Sequence, residues 1–155
     1  MSDIVKAMGL DVGDKRIGIA ISDGLGFTAQ PLCLYERKGA RQDVAFLKNK
    51  IQELGVLELV VGMPYKMSGG MSTMAQRITD FIDFLKETCN VQVIFWGERL
   101  STVEANRSML EGDLSRKKRK SLVDVVAAQL ILQGYLESKR IARERQEEQW
   151  RWGPG

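Results

Sequence analysis

The chain has 155 residues, 44% of them apolar and 28% charged, with a formal net charge of +3. That size and composition fit one globular domain able to bury its own core, and argue against a disordered chain. Histidine is absent, which removes Ser-His-Asp and Cys-His nucleophile machinery, His-bound zinc and imidazole general bases.

The opening stretch MSDIVKAMGL lacks the long apolar run and small-residue cleavage site of a signal peptide. No later run approaches the roughly 18 apolar residues of a membrane span. The expectation is a cytoplasmic protein that does not enter membranes. Val5 to Val12 predicts a first strand with Asp11 near its end, followed by a tight turn through Gly13 and Asp14. From Arg16 to Ser22 the pattern alternates, with Ile17, Ile19 and Ile21 on one face and Gly18, Ala20 and Ser22 on the other. This is a strand hairpinned to the first, and its small face would let a helix approach closely. A third strand is expected over Phe27 to Tyr35, with Pro31 placing it at an edge or a bulge.

Val44, Leu47, Ile51 and Leu54 recur at helical spacing within Arg41 to Leu54, and Gly55 follows as the C-cap. Leu57 to Val61 predicts a buried strand, PYKMSGG a polar loop that could cradle a phosphate, and Met71, Ala75, Ile78, Ile82 and Leu85 a second amphipathic helix. Val91 to Trp96 is a fifth strand, ending at Glu98. STVE at 101 to 104 is a capping box that opens a helix stopping near Gly112. The last helix begins in RKKRK, residues 116 to 120, and runs through SLVDVVAAQLILQGYLE. The charged tail from Ser138 reads as either a frayed helical extension or a flexible end. The expected domains are therefore one folded unit over 1–137 and an extension over 138–155.

Three strands, then helix, strand, helix, strand and two helices predict a mixed five-stranded α/β sheet. An antiparallel meander carries two added parallel strands, and helices cover both faces. In such sheets ligands collect at the carboxyl ends of the strands. Asp11 and Glu98 both open onto that end. Asp124 shares its helix with Ala127, Ala128 and Ile131, which places it on the sheet-facing side. Each acid also has an ordinary structural partner: the turn at Gly13 to Arg16 for Asp11, Arg99 for Glu98, and Lys120 at i−4 for Asp124.

Three converging carboxylates repel one another, and a divalent cation with oxygen ligands relieves that repulsion. Asp11, Glu98 and Asp124 are thus candidate catalytic and metal-ligating residues, with Mg²⁺ or Mn²⁺ as the cofactor. Two ions would serve phosphodiester cleavage without any histidine. The charge distribution points the same way. Taking the five cations of RKKRK from the 23 basic residues leaves 18 against 20 acidic ones. The basic character is concentrated just before Asp124, as a contact for a polyanion would be. Arg116, Lys117, Lys118, Arg119 and Lys120, with Lys15, Arg16 and Arg99 bordering the acids, are the candidate nucleic-acid contacts. The two cysteines, Cys33 and Cys89, form no metal-binding motif and read as reduced thiols.

GLDVGDKRIGIAISD, VVGMP, ERLSTVEA and SRKKRKSLVDVVAAQLILQGYL, in this order, resemble the YqgF family, from about Met8 to Leu136. Its members are described as Holliday junction resolvases and as nucleases maturing the 5′ end of precursor 16S ribosomal RNA. The resemblance implies a ribonuclease H-like fold, and it matches the family's acids to Asp11, Glu98 and Asp124. Where that family often has an acid before the Glu of ER, this chain has Gly97, which leaves one metal or two open; Asp14 and Asp23 are the substitutes at hand. An Asp-x-Gly hairpin also occurs in actin-like and sugar-kinase ATPases, but those close two such domains on a nucleotide. The expected function is a metal-dependent nuclease acting on RNA or branched DNA, with a ribosomal precursor particle as a partner. The alternative is a non-catalytic nucleic-acid-binding or ribosome-assembly protein. A junction resolvase calls for a homodimer and a single-cut RNA nuclease does not, so both states stay open.

Overall fold

Alternation along the first strand decides how the layers stack. A computed structural model describes residues 5–64, 73–98 and 116–152, with the side chains of 98, 116–123 and 151–152 excepted. In it, β1 (Ala7–Val12) sends Met8, Leu10 and Val12 into a core shared with α1 (Ala40–Leu54) and α2 (Thr73–Thr88). Its intervening residues face the opposite side, where Ala7 joins Ala128, Ile131 and Leu132 of the long helix α3 (Arg116–Trp152) in a second core.

The sheet is completed by β2 (Arg16–Ser22), β3 (Ala29–Glu36), β4 (Glu58–Pro64) and β5 (Gln92–Glu98), in the order β3-β2-β1-β4-β5. β1 pairs antiparallel with β2 and β2 with β3, while β4 runs parallel to both β1 and β5. The expected mixed sheet with helices on both faces is therefore what forms. Pro31 is accommodated in two ways at once, since β3 is an edge strand and its pairing slips by one residue where Ala20 meets Pro31. The strand starts at Ala29, two residues later than the pattern suggested. Asp23 and Thr28 close the preceding turn, the Asp23 N–H donating to the Thr28 carbonyl at 2.9 Å and the Asp23 carboxylate accepting the Phe27 N–H at 2.9 Å.

α3 lies close on the sheet because the residues under it are small. A Cβ at Gly9 would come within 2.7 Å of the Leu132 Cβ and 2.8 Å of the Ala128 carbonyl oxygen. At Gly18 it would collide with the Asp124 carbonyl itself. The glycine and alanine face of β2 thus serves the helix as its pattern suggested. α1 ends on Gly55 in the left-handed region, φ 68°, with the Val56 N–H closing onto the Ile51 carbonyl.

A buried polar group ties the middle of α3 to the sheet. Glu58, at the start of β4, accepts hydrogen bonds from the Tyr135 hydroxyl at 2.7 Å and from Lys139 Nζ at 2.9 Å. Burial, together with the Glu58 carboxylate, pushes the Tyr135 hydroxyl's pKa up. α3 then continues without a break from Glu137 to Trp152, through the charged tail. The Gly-rich loop after Pro64, the capping-box helix opening at Ser101, and Arg99 lie outside the described residues.

Candidate active site

Three strands and a helix converge at the carboxyl end of the parallel strands. Asp11 is the next-to-last residue of β1 and sits opposite Gly18 of β2. Strand alternation turns it to the α3 side, two residues on from Gly9. Gly18 lies against the Asp124 carbonyl and 3.0 Å, from an added Cβ, to the Val125 nitrogen. Asp11 and Asp124 are therefore brought together across a single glycine, on one face of the sheet. Both are half-buried.

Glu98 is the last residue of β5 and pairs with Pro64. The register line Leu10, Val61, Phe95 runs straight across β1, β4 and β5. Asp11 is one residue past that line and Glu98 three residues past it. With the usual strand spacing and rise, their Cα atoms are roughly 12 Å apart. Among the described residues no three acidic side chains form a metal-sized cluster; the Glu98 side chain lies outside them.

Arg16 opens β2 and brings its Nε to 3.8 Å from an Asp124 carboxylate oxygen, both side chains about a quarter exposed, at 25% and 28%. Asp124 thus has a cation from β2 as a partner; the side chain of Lys120, the partner expected at i−4, lies outside the described residues. Lys15 is exposed in the turn. Of the two substitute acids, Asp14 lies at the same end and pairs with Arg77 of α2 at 3.4 Å. Asp23 is at the opposite end, where it closes the β2–β3 turn; burial works to raise its pKa, but Thr28 and the backbone N–H groups of Phe27, Thr28 and Gly26 outweigh this and lower it.

The hairpin that carries Asp11 is held by a buried clamp that the sequence reading did not find. Asp43 of α1 is fully buried. Its carboxylate accepts the Arg37 Nε–H at 2.9 Å and the Lys38 N–H at 2.9 Å. Arg37 in turn donates from Nη1 to the Gly13 carbonyl at 2.9 Å and from its backbone to the Lys15 carbonyl at 2.9 Å. Its guanidinium also covers the Phe81 ring, 4.7 Å from the centroid. Burial acts to raise the Asp43 carboxyl, but the Lys38 N–H, the Arg37 guanidinium and the Tyr35 hydroxyl outweigh it and hold the group below the ordinary carboxylate range. The signal was present: Asp43 stands four residues before Leu47, an acid within the apolar stripe of its helix.

Residues 5–138 match the model of the RuvX family, described as Holliday junction resolvase. The chain belongs to the RuvX family. A RuvX relative from Halothermothrix orenii is 51% identical over 132 residues, covering 85% of this chain and 94% of its own length. One from Clostridium acetobutylicum is 48% identical over 134 residues, covering 86% and 99%. Each bears the name "Putative pre-16S rRNA nuclease". The family resemblance read from the four motifs is borne out. Among solved structures, Thermus thermophilus RuvC in complex with a Holliday junction substrate superposes with a TM-score of 0.57 at 13% identity, covering 88% of this chain and 96% of that one. The fowlpox virus Holliday junction resolvase does so at 0.53 and 16%, covering 86% and 99%. The chain has the ribonuclease H-like fold that the family resemblance implied, on the mixed five-stranded sheet that its strand order predicted.

Proposed function

We propose that this RuvX chain is a divalent-metal-dependent nuclease that hydrolyses phosphodiester bonds. Its most specific role in this reading is 5′-end maturation of precursor 16S rRNA in the cytoplasm, with four-way junction cleavage as the related activity. The observation that carries the reading is the meeting of Asp11 and Asp124 across Gly18, within the stretch that matches the family. The two thiols, Cys33 and Cys89, are unpaired, as in a reducing compartment.

The donors offered by Asp11, Glu98 and Asp124 are carboxylate oxygens, which suit Mg²⁺ or Mn²⁺. In this proposal these three residues hold the ions. Bound there, divalent ions would supply Lewis acidity for activating water and stabilising a leaving oxygen. The protein's own part is positional. β1 and β5, parallel strands on either side of β4, carry two of the carboxylates, and α3 carries the third over β2. Arg16 offsets the repulsion that Asp124 meets from the other acids, and its planar guanidinium suits a phosphate. Lys15, Arg99 and the RKKRK block at the start of α3 extend the cationic approach for a phosphate backbone.

The test is Asp11→Asn on a panel of precursor 16S rRNA 5′ leader, single-stranded RNA and a four-way DNA junction, with Mg²⁺ and with Mn²⁺. Cleavage should fall by about 100-fold or more, with an unchanged circular dichroism spectrum. A variant that cleaves like its parent would sink the assignment of Asp11. A parent that binds nucleic acid in EDTA yet cleaves nothing with either ion would favour the non-catalytic reading, for which Gly97 in β5 is the supporting feature.

A further inference from the structure

The family match ends at residue 138, but α3 continues to Trp152. Residues 140–150 of this extension are all exposed. At helical spacing Lys139, Arg143, Gln146 and Trp150 fall on one stripe, while Arg145 lies roughly 130° round the helix from it, nearer Glu148. Glu137, Glu144 and Glu148 fall on the opposite side, and Glu147 marks the border. Arg140 points its charge to that acidic side, 3.9 Å from Glu144. The extension therefore has one face of cations and an aromatic, although its total charge is nearly balanced.

That face starts from a groove at the end of the sheet away from Asp11. Phe27, Leu136, Lys139 and Arg143 line the groove, with Glu58 below. Phe27 is 52% exposed and Trp150 83% exposed. The exposure of Phe27 is not a matter of a loose turn. The Gln133 amide donates to the Phe27 carbonyl at 3.0 Å and accepts the Ala29 N–H at 2.8 Å, while Gln129 donates to the Ala29 carbonyl at 3.0 Å. Asp23 holds the turn from its other side. An exposed aromatic ring on a turn whose backbone is tied to α3, beside cations, is suited to stack on a flat, negatively charged partner.

We propose that this face is a second nucleic-acid contact. It binds a single-stranded flank of the substrate through phosphates at Lys139 and Arg143 and through bases stacked on Phe27 and Trp150. The inference rests on the nuclease reading for the identity of the polyanion. The stripe has too little apolar surface to enter a lipid bilayer, whereas cations interleaved with aromatics match single strands. Lys139 lies about 22 Å along α3 from Asp124, and Trp150 about 16 Å further. Only a strand long enough to span that distance can use both sites.

The test uses the full chain in EDTA, so that cleavage does not intervene. Two variants are compared with the parent by fluorescence anisotropy: Arg143→Gln/Trp150→Ala, and Phe27→Ala. The probes are labelled mixed-sequence RNA single strands of about 30 and about 6 nucleotides. The double variant should bind the longer strand about 10-fold more weakly. Its log-log salt slope should be shallower by about 0.7, one phosphate contact fewer. Phe27→Ala should weaken the longer strand about 3-fold with an unchanged slope, and neither variant should alter the shorter strand. Equal affinity and slope for parent and double variant on the longer strand would overturn the proposal, leaving the Asp11 assignment intact. Equal losses on both strands would overturn it too, because the face would then be acting through the main site. A parent that binds neither strand would bring down this proposal and the nuclease reading together.

Discussion

Gly18→Ala tests whether the site is built by close approach of α3 to β2. The added methyl would sit against the Asp124 carbonyl and 3.0 Å from the Val125 nitrogen. These are backbone atoms of a helix and cannot swing aside as a side-chain tip can. Restoring an ordinary contact of about 3.5 Å requires the helix to move by on the order of 1 Å. Overpacking of this kind costs about 1–3 kcal/mol. At this chain length that corresponds to roughly a 3–9 °C fall in Tm. Because Asp124 is the residue displaced, cleavage should suffer more than stability does: a misplacement of about 1 Å can cost 100-fold in rate. The assay is metal-dependent cleavage well below the variant's Tm, alongside thermal unfolding. Gly9→Ala is the control. Its methyl meets Leu132 and Ala128, one to two turns further along α3, so it should lower Tm comparably but cleavage less. If both variants lose activity in the same proportion to stability, the idea that Gly18 positions Asp124 is wrong.

The buried clamp and the ties of α3 give further expectations. Asp43 has a lowered pKa in the folded protein, so its contribution to stability is complete above its unfolded value near 3.8 and is lost as pH falls through the still lower folded value. Asp43→Asn should therefore destabilise at neutral pH and flatten the acid limb of a stability-against-pH curve from urea melts. A limb as steep as the parent's would show that other carboxylates carry it. Asp43→Ala leaves Arg37 without its anion and should cost about 3 kcal/mol, read as a lower urea midpoint. Tyr135→Phe removes a hydrogen bond to the buried Glu58 carboxylate and should cost about 1.5–2 kcal/mol with an unchanged m-value; an unchanged midpoint would mean that Lys139 alone satisfies Glu58. Neutralising Lys117, Lys118 and Arg119 should make the salt slope of single-strand binding shallower by about 2, and an unchanged slope would leave that block as a solvated helix start.

Much of the fold was legible because period-2 and period-3.6 patterns were strong where they decided the layers. Ile17, Ile19 and Ile21 against Gly18, Ala20 and Ser22 gave the strand, its register face and the close approach of a helix. The placement of Asp124 followed from Ala127, Ala128 and Ile131, which are buried as that spacing required. What escaped the pattern is polar and non-local. Arg37 and Asp43 are only six residues apart, but their roles depend on the Gly13 carbonyl 24 residues earlier for Arg37. No period encodes such a pairing. Arg16 reaching Asp124 is of the same kind, a contact that exists only once the helix has docked. The strand boundary at Phe27 failed for a different reason: turn chemistry at Asp23 overrode the β propensity of an aromatic.

These two kinds of information meet at the β1–β2 turn. Local pattern puts Asp11 at the end of a central strand, where a charge is unfavourable unless something compensates it. The turn that follows is then fixed from outside. Gly13 donates to the Arg16 carbonyl at 2.8 Å and accepts from Arg37, and the Lys15 carbonyl is held by the Arg37 N–H. The clamp therefore constrains the same four residues that carry Lys15 and Arg16 to the edge of the site. Its anchor, Asp43, belongs to α1, on the face of the sheet opposite Asp124. A site assembled only by α3 docking on glycines would shift whenever that helix shifted. With the hairpin tied independently to α1, the position of Asp11 does not depend on how α3 docks whereas that of Asp124 does, so loss of the clamp and crowding at Gly18 should disturb the two acids separately.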